Sequence, residues 1–596
     1  MHSVFETLRK MAKSFGWIVL SSTLILSISC TKKKVSDTDD TIYEIVEQNV
    51  KGMDPVYTSD VYTSKAVSQI YETLLEYHHL KRPLVLQPLL AVEMPAASED
   101  GLTHTFKIKP GARFQDDPAF PNGKGREVTA TDFIYSWKRL ADPANRSDGF
   151  WIFDGRIKGL NEWRAAMEKG KANYDTPIEG LVAKDDKTLV VKLTKPYFQL
   201  YYVLAHNYSA VVPREAVEKY GKEFLNHPVG TGPYQLENWV RGSKIVMKAN
   251  PTWHGQTYPT DGDPGDEEKG LLKDAGKALP FAKKLVFYEV TEDQPRWLKF
   301  MKGEVDLSTI PKDNFDSAIT NGATSAELAK KGIQLLVIKE PDVTYTAFNM
   351  ADKSIAENIN LRRAMSLAID TDTMIKKFYN GRAISAQSPI PPDVDAYDPD
   401  YKNPYKGFDV GKAKEFMKKA GYKEGEGPTI EYSTVSNSTS RQMAEYIQQS
   451  MAAIGVKLKV LSTDWPQFMN KIREKKAQVW GVAWLADYPD AENFLQLLYG
   501  KNISPGPNGA NYVNPEYDSL YEKAALLPPG KERTEIYHKM RDILIKDSPW
   551  IPGVHRLGYY LHYSWLHNFK RHSIISNYHK YLRVNPKARA EMKVKL

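Results

Sequence analysis

Apolar residues in this chain recur at two spacings, and the interleaving of those spacings constrains the fold more than any single motif. Ile245, Met247 and Ala249 alternate with polar neighbours, as do Leu189, Val191 and Leu193, and again Val456, Leu458 and Val460. A period of two is that of a half-buried strand. Between such segments lie helical stripes. Leu361, Ala364, Met365 and Ala368 share one face, and Asp370 or Thr371 can cap a second helix carrying Met374, Ile375 and Phe378. Ala413, Phe416, Met417 and Ala420 form a third apolar face that Gly421 stops. Strands and helices mixed along the whole length give the α/β class. At 596 residues the chain exceeds what one hydrophobic core can serve, so two or more domains are expected. No internal repeat is visible.

Residues 1–29 differ from the rest. Arg9, Lys10 and Lys13 precede an apolar run from Phe15 to Ile28, and Cys30, the sole cysteine, follows. The run is short for a bilayer span and ends in small residues, as a cleaved export signal does. A lone cysteine in an exported chain cannot close an internal disulfide and needs another explanation. Leu26-Ser27-Ile28-Ser29-Cys30 resembles a bacterial lipobox, although Ser27 stands where leucine is usual and Leu26 is one place early. The resemblance implies removal of the signal peptide 1–29 and lipidation of Cys30; a plain signal peptide or an uncleaved anchor is the alternative. Residues 30–41, rich in Lys, Asp, Ser and Thr, then form a flexible lipidated tether.

Charge excludes one class of partner. The net +8 comes from 81 basic against 73 acidic residues spread along the chain, which argues against a nucleic-acid-binding stripe, although Lys32-Lys33-Lys34 can sit at a membrane surface. The acidic Gly/Pro-rich stretch 254–279 lacks the ligand spacing of a helix-loop-helix calcium site and reads as a solvated surface insertion.

An apolar run, Val479 to Ala486, ends in the acidic turn Asp487-Tyr488-Pro489-Asp490. A carboxylate just past a strand can meet a ligand cation at the mouth of a cleft while the strand edge hydrogen-bonds the ligand backbone. That arrangement suits the free amino end of a peptide; the alternative is a solvated Asp-Pro turn.

Four segments then stand in a fixed order. They are Val128 to Arg139 followed by Asp142-Pro143; Pro228 to Tyr234 followed by Asn250-Pro251-Thr252-Trp253; Asn360 to Met365 with Ala368-Ile369-Asp370; and Asn511 to Asp518. Together they resemble the extracellular solute-binding proteins of peptide ABC importers, the oligopeptide and dipeptide binders, over nearly the whole chain from Asp54 to Tyr560. Read physically, Gly230, Gly232 and Pro233 permit a tight chain reversal, Pro251 ends a strand, and Arg362 and Arg363 face solvent or cap neighbours.

The resemblance implies an α/β, two-lobed periplasmic-binding-protein-like fold with an additional third domain. Domain I would take residues 42–75, 206–305 and 558–596, domain II 76–205, and domain III 306–557. It implies a monomeric substrate-binding lipoprotein, in the periplasm or on the outer face of the cytoplasmic membrane. Such a protein captures peptides by lobe closure, hands them to an ABC permease with ATPase subunits, and needs no cofactor and no nucleic acid. Asp487 falls where family members bind the peptide α-amino group. Ala483, Trp484 and Leu485 fall on the strand that pairs with the peptide backbone, and Ser59, Asp60 and Val61 on the segment facing it, with strand pairing expected on both faces. Gly481 leaves no cation in the run before Trp484, where some long-peptide binders carry arginine. Asn437, Ser440 and Arg441 are candidates for polar or carboxylate contact; a Ser/Thr/Asn run before a helix is otherwise a cap.

Two rival functions were weighed. An exported hydrolase finds no Gly-x-Ser-x-Gly elbow and no His-Glu-x-x-His helix, leaving only Asp487 and Asp490 as an acid and base pair. Transport of a nickel chelate or haem would draw on His555, His562, His567, His572 and His579, but their spacings of five or seven residues set no pair for a shared metal ion.

Overall fold

The computed structural model describes residues 39–596. Cys30, the signal segment and most of the tether lie outside the described residues. Among those residues no helix is long and apolar enough to cross a membrane.

Four sheets of four or five strands organise the chain, the fourth built around one long strand. The first orders its strands Ile42–Val46, Lys284–Glu289, Lys244–Ala249 and Tyr234–Val240, the first pair parallel and the others antiparallel. The second is antiparallel, with Thr103–Lys107 and Thr188–Lys192 at its centre. The third has five strands in the order Lys457–Thr463, Thr429–Val435, Val479–Leu485, Asp342–Phe348 and Trp550–Pro552. A long strand, Val554–Tyr563, pairs with Ile333–Lys339 on one edge and with Leu307–Thr309 and Ala383–Ser385 on the other.

The predicted local elements are present. Ile245 and Met247 are buried strand residues, and the helix Ile359–Leu367 buries Leu361, Ala364 and Met365. Asp370 caps the next helix by accepting from the Thr373 N–H at 3.0 Å. Gly421 follows the helix Val410–Lys419 at φ +91°, the left-handed stop that its sequence suggested. One large apolar core joins residues of the first two sheets with the final segment around Tyr563, Trp565 and Leu582. Two further cores lie on the five-stranded sheet, where Val343, Tyr345 and Ala347 enter one and Phe348 and Val479 the other.

Two local readings need correction, and a third is decided between its branches. Gly230 and Gly232 do not serve a reversal through unusual dihedrals; they pass the end of the helix Val61–Ile70, where the Gly232 N–H donates to the Ile70 carbonyl at 2.8 Å. A Cβ at Gly230 would land on that same carbonyl oxygen, so the glycines are required for close backbone approach. The acidic insertion is a surface loop that leaves Asp261, Glu267 and Glu268 exposed, but it is also tied into the fold. Tyr258, Asp266 and Asp274 are buried, Asp263 and Asp266 hold Lys570 at 2.8 and 2.7 Å, and Asp274 holds Arg583 at 2.6 Å. Arg362, read as facing solvent or capping neighbours, does the latter. It is buried and donates to the carbonyls of Ile355, Ala356, Asp547 and Ser548.

Candidate functional site

A cavity of about 760 Å³ lies between the helix Val61–Ile70 with its preceding loop on one side and the five-stranded sheet on the other. The strand Val479–Leu485 forms much of its sheet-side wall. That strand pairs with Asp342–Phe348 along its full length, but with Thr429–Val435 only at Val479 and Trp480. From Gly481 onward, one edge is therefore open.

Register settles which residues offer it. The Asn349 N–H donates to the Gln478 carbonyl, and the Ala486 N–H to the Pro341 carbonyl, both at 2.9 Å. Hydrogen-bonded pairs alternate in an antiparallel ladder, so the even-numbered residues turn their backbone groups toward Asp342–Phe348. Gly481, Ala483 and Leu485 turn theirs to the open edge, and all three line the cavity.

Asp487 stands just beyond that edge. Its Oδ2 accepts from the Asn493 amide at 3.0 Å, and Asn493 Oδ1 accepts from both the Asp487 N–H at 2.9 Å and the Trp484 indole at 3.0 Å. Asn493 thus fixes strand end, indole and carboxylate together. The other carboxylate oxygen lies 3.3 Å from His206 Nε2 on the facing wall. Tyr77 lines the cavity close by; its buried hydroxyl has no hydrogen-bond partner, and burial, Tyr202 and the Asp487 charge hold its pKa well above the ordinary value. Nothing in sequence spacing pointed to Tyr77 or His206.

The facing segment departs from expectation. Asp60 caps the helix Val61–Ile70, accepting from the Thr63 N–H at 2.8 Å, and pairs with Lys51 at 3.0 Å. Val61 opens that helix, so it cannot pair as a strand; it remains 47% exposed at the cavity wall. Ser59 Oγ accepts from Arg473 across the cleft at 2.7 Å, and Arg473 also pairs with Asp148. Tyr62 meets Trp465 edge-on at 5.6 Å, so the two walls touch. Asn437 and Ser440 line the cavity, with Asn437 capping the helix Ser438–Ala452. Arg441 does not line it; its guanidinium donates to the Ser436 carbonyl and lies 3.9 Å from Glu292.

Asp490 is not beside Asp487 in the cavity. It is buried against Arg533 at 3.1 Å and accepts from Gln199 at 3.0 Å. Burial and the Asp395 charge push its pKa up to about 6, with Arg533 opposing. An acid whose folded pKa lies above its unfolded value of about 4 stabilises the fold most below that lower value, and the contribution is lost as pH rises through the higher one. Asp490→Asn is therefore expected to flatten the loss of stability between pH 4.5 and 7.5 by at most about 3 kcal/mol. Urea midpoints at both pH values check this, and an unchanged slope rejects it.

The histidines are dispersed. Burial lowers the pKa of His555 and His562 to about 4 and that of His572 to about 3, while His579 lies 2.6 Å from Glu44. Among the described residues no three His, Cys, Asp or Glu side chains are grouped to hold a metal ion.

Comparison with known proteins places this geometry in a family. The Heme-binding protein A of Haemophilus influenzae is 28% identical over 505 residues, covering 82% of each chain. The Glutathione-binding protein GsiB of Escherichia coli is 27% identical over 519 residues, covering 85% of this chain and 88% of that one. Among solved structures, the periplasmic binding protein DppA of Helicobacter pylori in complex with a peptide superposes with a TM-score of 0.74 at 24% identity, covering 91% of this chain and 98% of that one. The murein tripeptide binding protein MppA of Escherichia coli gives a TM-score of 0.75 at 21% identity, covering 92% and 99%. The family described as bacterial extracellular solute-binding proteins, family 5 Middle, matches residues 85–506, and this chain belongs to that family.

Proposed function

We propose that the chain captures peptides with a free amino end and delivers them to an ABC permease. The open half of the strand Val479–Leu485, with Asp487 just beyond its end at the cavity wall, carries this reading. Every peptide offers one ammonium and regularly spaced N–H and C=O groups, so an exposed strand edge with a terminal carboxylate binds many sequences through their shared atoms. Roomy, hydrated side-chain pockets complete the fit. Ala483 and Leu485 pair with the ligand backbone, Trp484 is held by Asn493 beside the anchor, and Ser59, Asp60 and Val61 close over the ligand. Asn437 and Ser440 supply polar contacts. The peptide complex of the Helicobacter relative and the glutathione- and tripeptide-binding names of others support a peptide, whereas the name of the Haemophilus relative keeps haem as the second reading.

Closure brings the lobe built from 42–75, 206–305 and 558–596, with 76–205 attached, against the lobe 306–557, except that Leu307–Thr309 and Ile333–Lys339 pair with Val554–Tyr563 and move with the first lobe. Ligand contacts made only when the lobes meet shift the equilibrium toward the closed state. Mass spectrometry of small molecules released from the purified protein tests the reading: intact, unmodified peptides are expected. Haem or a metal chelate without peptide would overturn it, and fragments whose formation depends on Asp487 would favour a hydrolase.

The protein acts as a monomer held to the membrane by lipid on Cys30. Cys30→Ala is expected to move nearly all of it to the soluble fraction without unfolding it, because several acyl chains bind firmly where one binds marginally. A processed Cys30→Ala protein still on membranes, in cells lacking the permease, counts against the anchor.

A further inference from the structure

The cavity contains a second charged feature that the amino-end anchor does not use. Arg556 sits in the strand Val554–Tyr563, in register with Ala383. Its backbone N–H donates to Asp342 Oδ1 at 3.0 Å, and its Nε donates to Asp342 Oδ2. Asp342 is fully buried, so this grip fixes the plane of the guanidinium from behind. Although burial opposes the charge, Asp342 holds the Arg556 pKa above its ordinary value. The two terminal nitrogens have no hydrogen-bond acceptor among the described residues, and the side chain is 41% exposed where it lines the cavity.

The other cavity arginines are committed elsewhere. Arg296 pairs with Asp293, Arg473 with Asp148 and Ser59, and Arg382 with the Tyr379 and Ile310 carbonyls and the Asn380 amide. Arg571 stacks over Tyr560 at 4.5 Å and donates to the Tyr578 hydroxyl at 2.9 Å. Gly481 leaves the open edge itself without a cation.

We propose that Arg556 receives a carboxylate of the bound ligand, from its C-terminus or an acidic side chain, and so makes the cleft selective for peptides that carry a free acid. A planar fork with its Nε already anchored matches a carboxylate through two parallel hydrogen bonds, with little further ordering on binding. This inference rests on the peptide reading above and deepens it.

Calorimetry with Ala-Ala-Ala, its C-terminal amide, and the amides of Ala-Glu-Ala and Ala-Gln-Ala tests it. The wild type is expected to favour one acid over its neutral counterpart by about thirtyfold or more, the size of effect seen when one partner of a desolvated charge pair is removed. The first peptide pair reports a C-terminal carboxylate and the second a side-chain one. Arg556→Met should abolish the preference while leaving binding of the neutral peptide unchanged. Because that variant strands the Asp342 carboxylate, the double variant Asp342→Asn with Arg556→Met is measured alongside and should behave the same. An acid preference that survives both variants, or none in the wild type, overturns the proposal. N-acetylated Ala-Ala-Ala separates it from the parent reading. Binding insensitive to acetylation but with an Arg556-dependent acid preference sinks the amino-end anchor alone; failure of every peptide to bind sinks both.

Discussion

Asp487→Ala is expected to weaken binding of a free tripeptide by two to three decades. The substitution leaves the ligand ammonium in a closed cavity without its counter-charge, and breaking a buried ion pair by removing one partner costs about 3–5 kcal/mol. Folding should change far less, since the carboxylate holds Asn493 at 3.0 Å and His206 at 3.3 Å from a half-buried position, and Asn493 keeps its bond to the Trp484 indole. N-acetylation of the peptide should reproduce most of the loss on the wild type. Isothermal calorimetry that finds equal affinity for wild type and variant removes Asp487 from the site.

The second large effect concerns the fold. Gly230→Ala is expected to destabilise the protein by about 3 kcal/mol or more, because the added methyl meets the Ile70 carbonyl, a backbone atom at a helix end that cannot swing away. Gly407 provides the control, with open space around the position a Cβ would take, so Gly407→Ala should fall within about 0.5 kcal/mol of wild type. Urea denaturation followed by tryptophan fluorescence distinguishes them; coincident midpoints would mean that the helix end and the Gly230 segment separate freely.

Sequence and structure agree where the governing forces are local. Period-two strands, the Asp370 cap and the Gly421 stop depend on neighbours within a few residues, and all were readable. The strand ending in Asp487 was readable for the same reason. Ser59-Asp60-Val61 was misread as strand although Asp60 before Thr63 is itself a capping signal, one that the family likeness overrode. The acidic insertion was legible only in part: composition shows its exposed charge but not Lys570 and Arg583, hundreds of residues away, that bind Asp263, Asp266 and Asp274. His206, Tyr77 and Arg556 reach the cavity only through tertiary folding, and no spacing announces them.

The chain's order sets a schedule for its own assembly. The strand Ile42–Val46 begins the described fold; its Glu44 pairs with Lys65 at 2.7 Å but also receives His579, and Asp306 beside it is held by Arg589 at 2.8 Å. His579 and Arg589 are synthesised last. A chain emerging from its amino end must carry Asp306 without its arginine until the final helix, Pro586–Lys593, arrives. The residues from Tyr578 onward therefore act as a closing signal for the first lobe. A protein cut short before Tyr578 would expose its defect at the opposite end, where proteases that survey freshly delivered chains could find it.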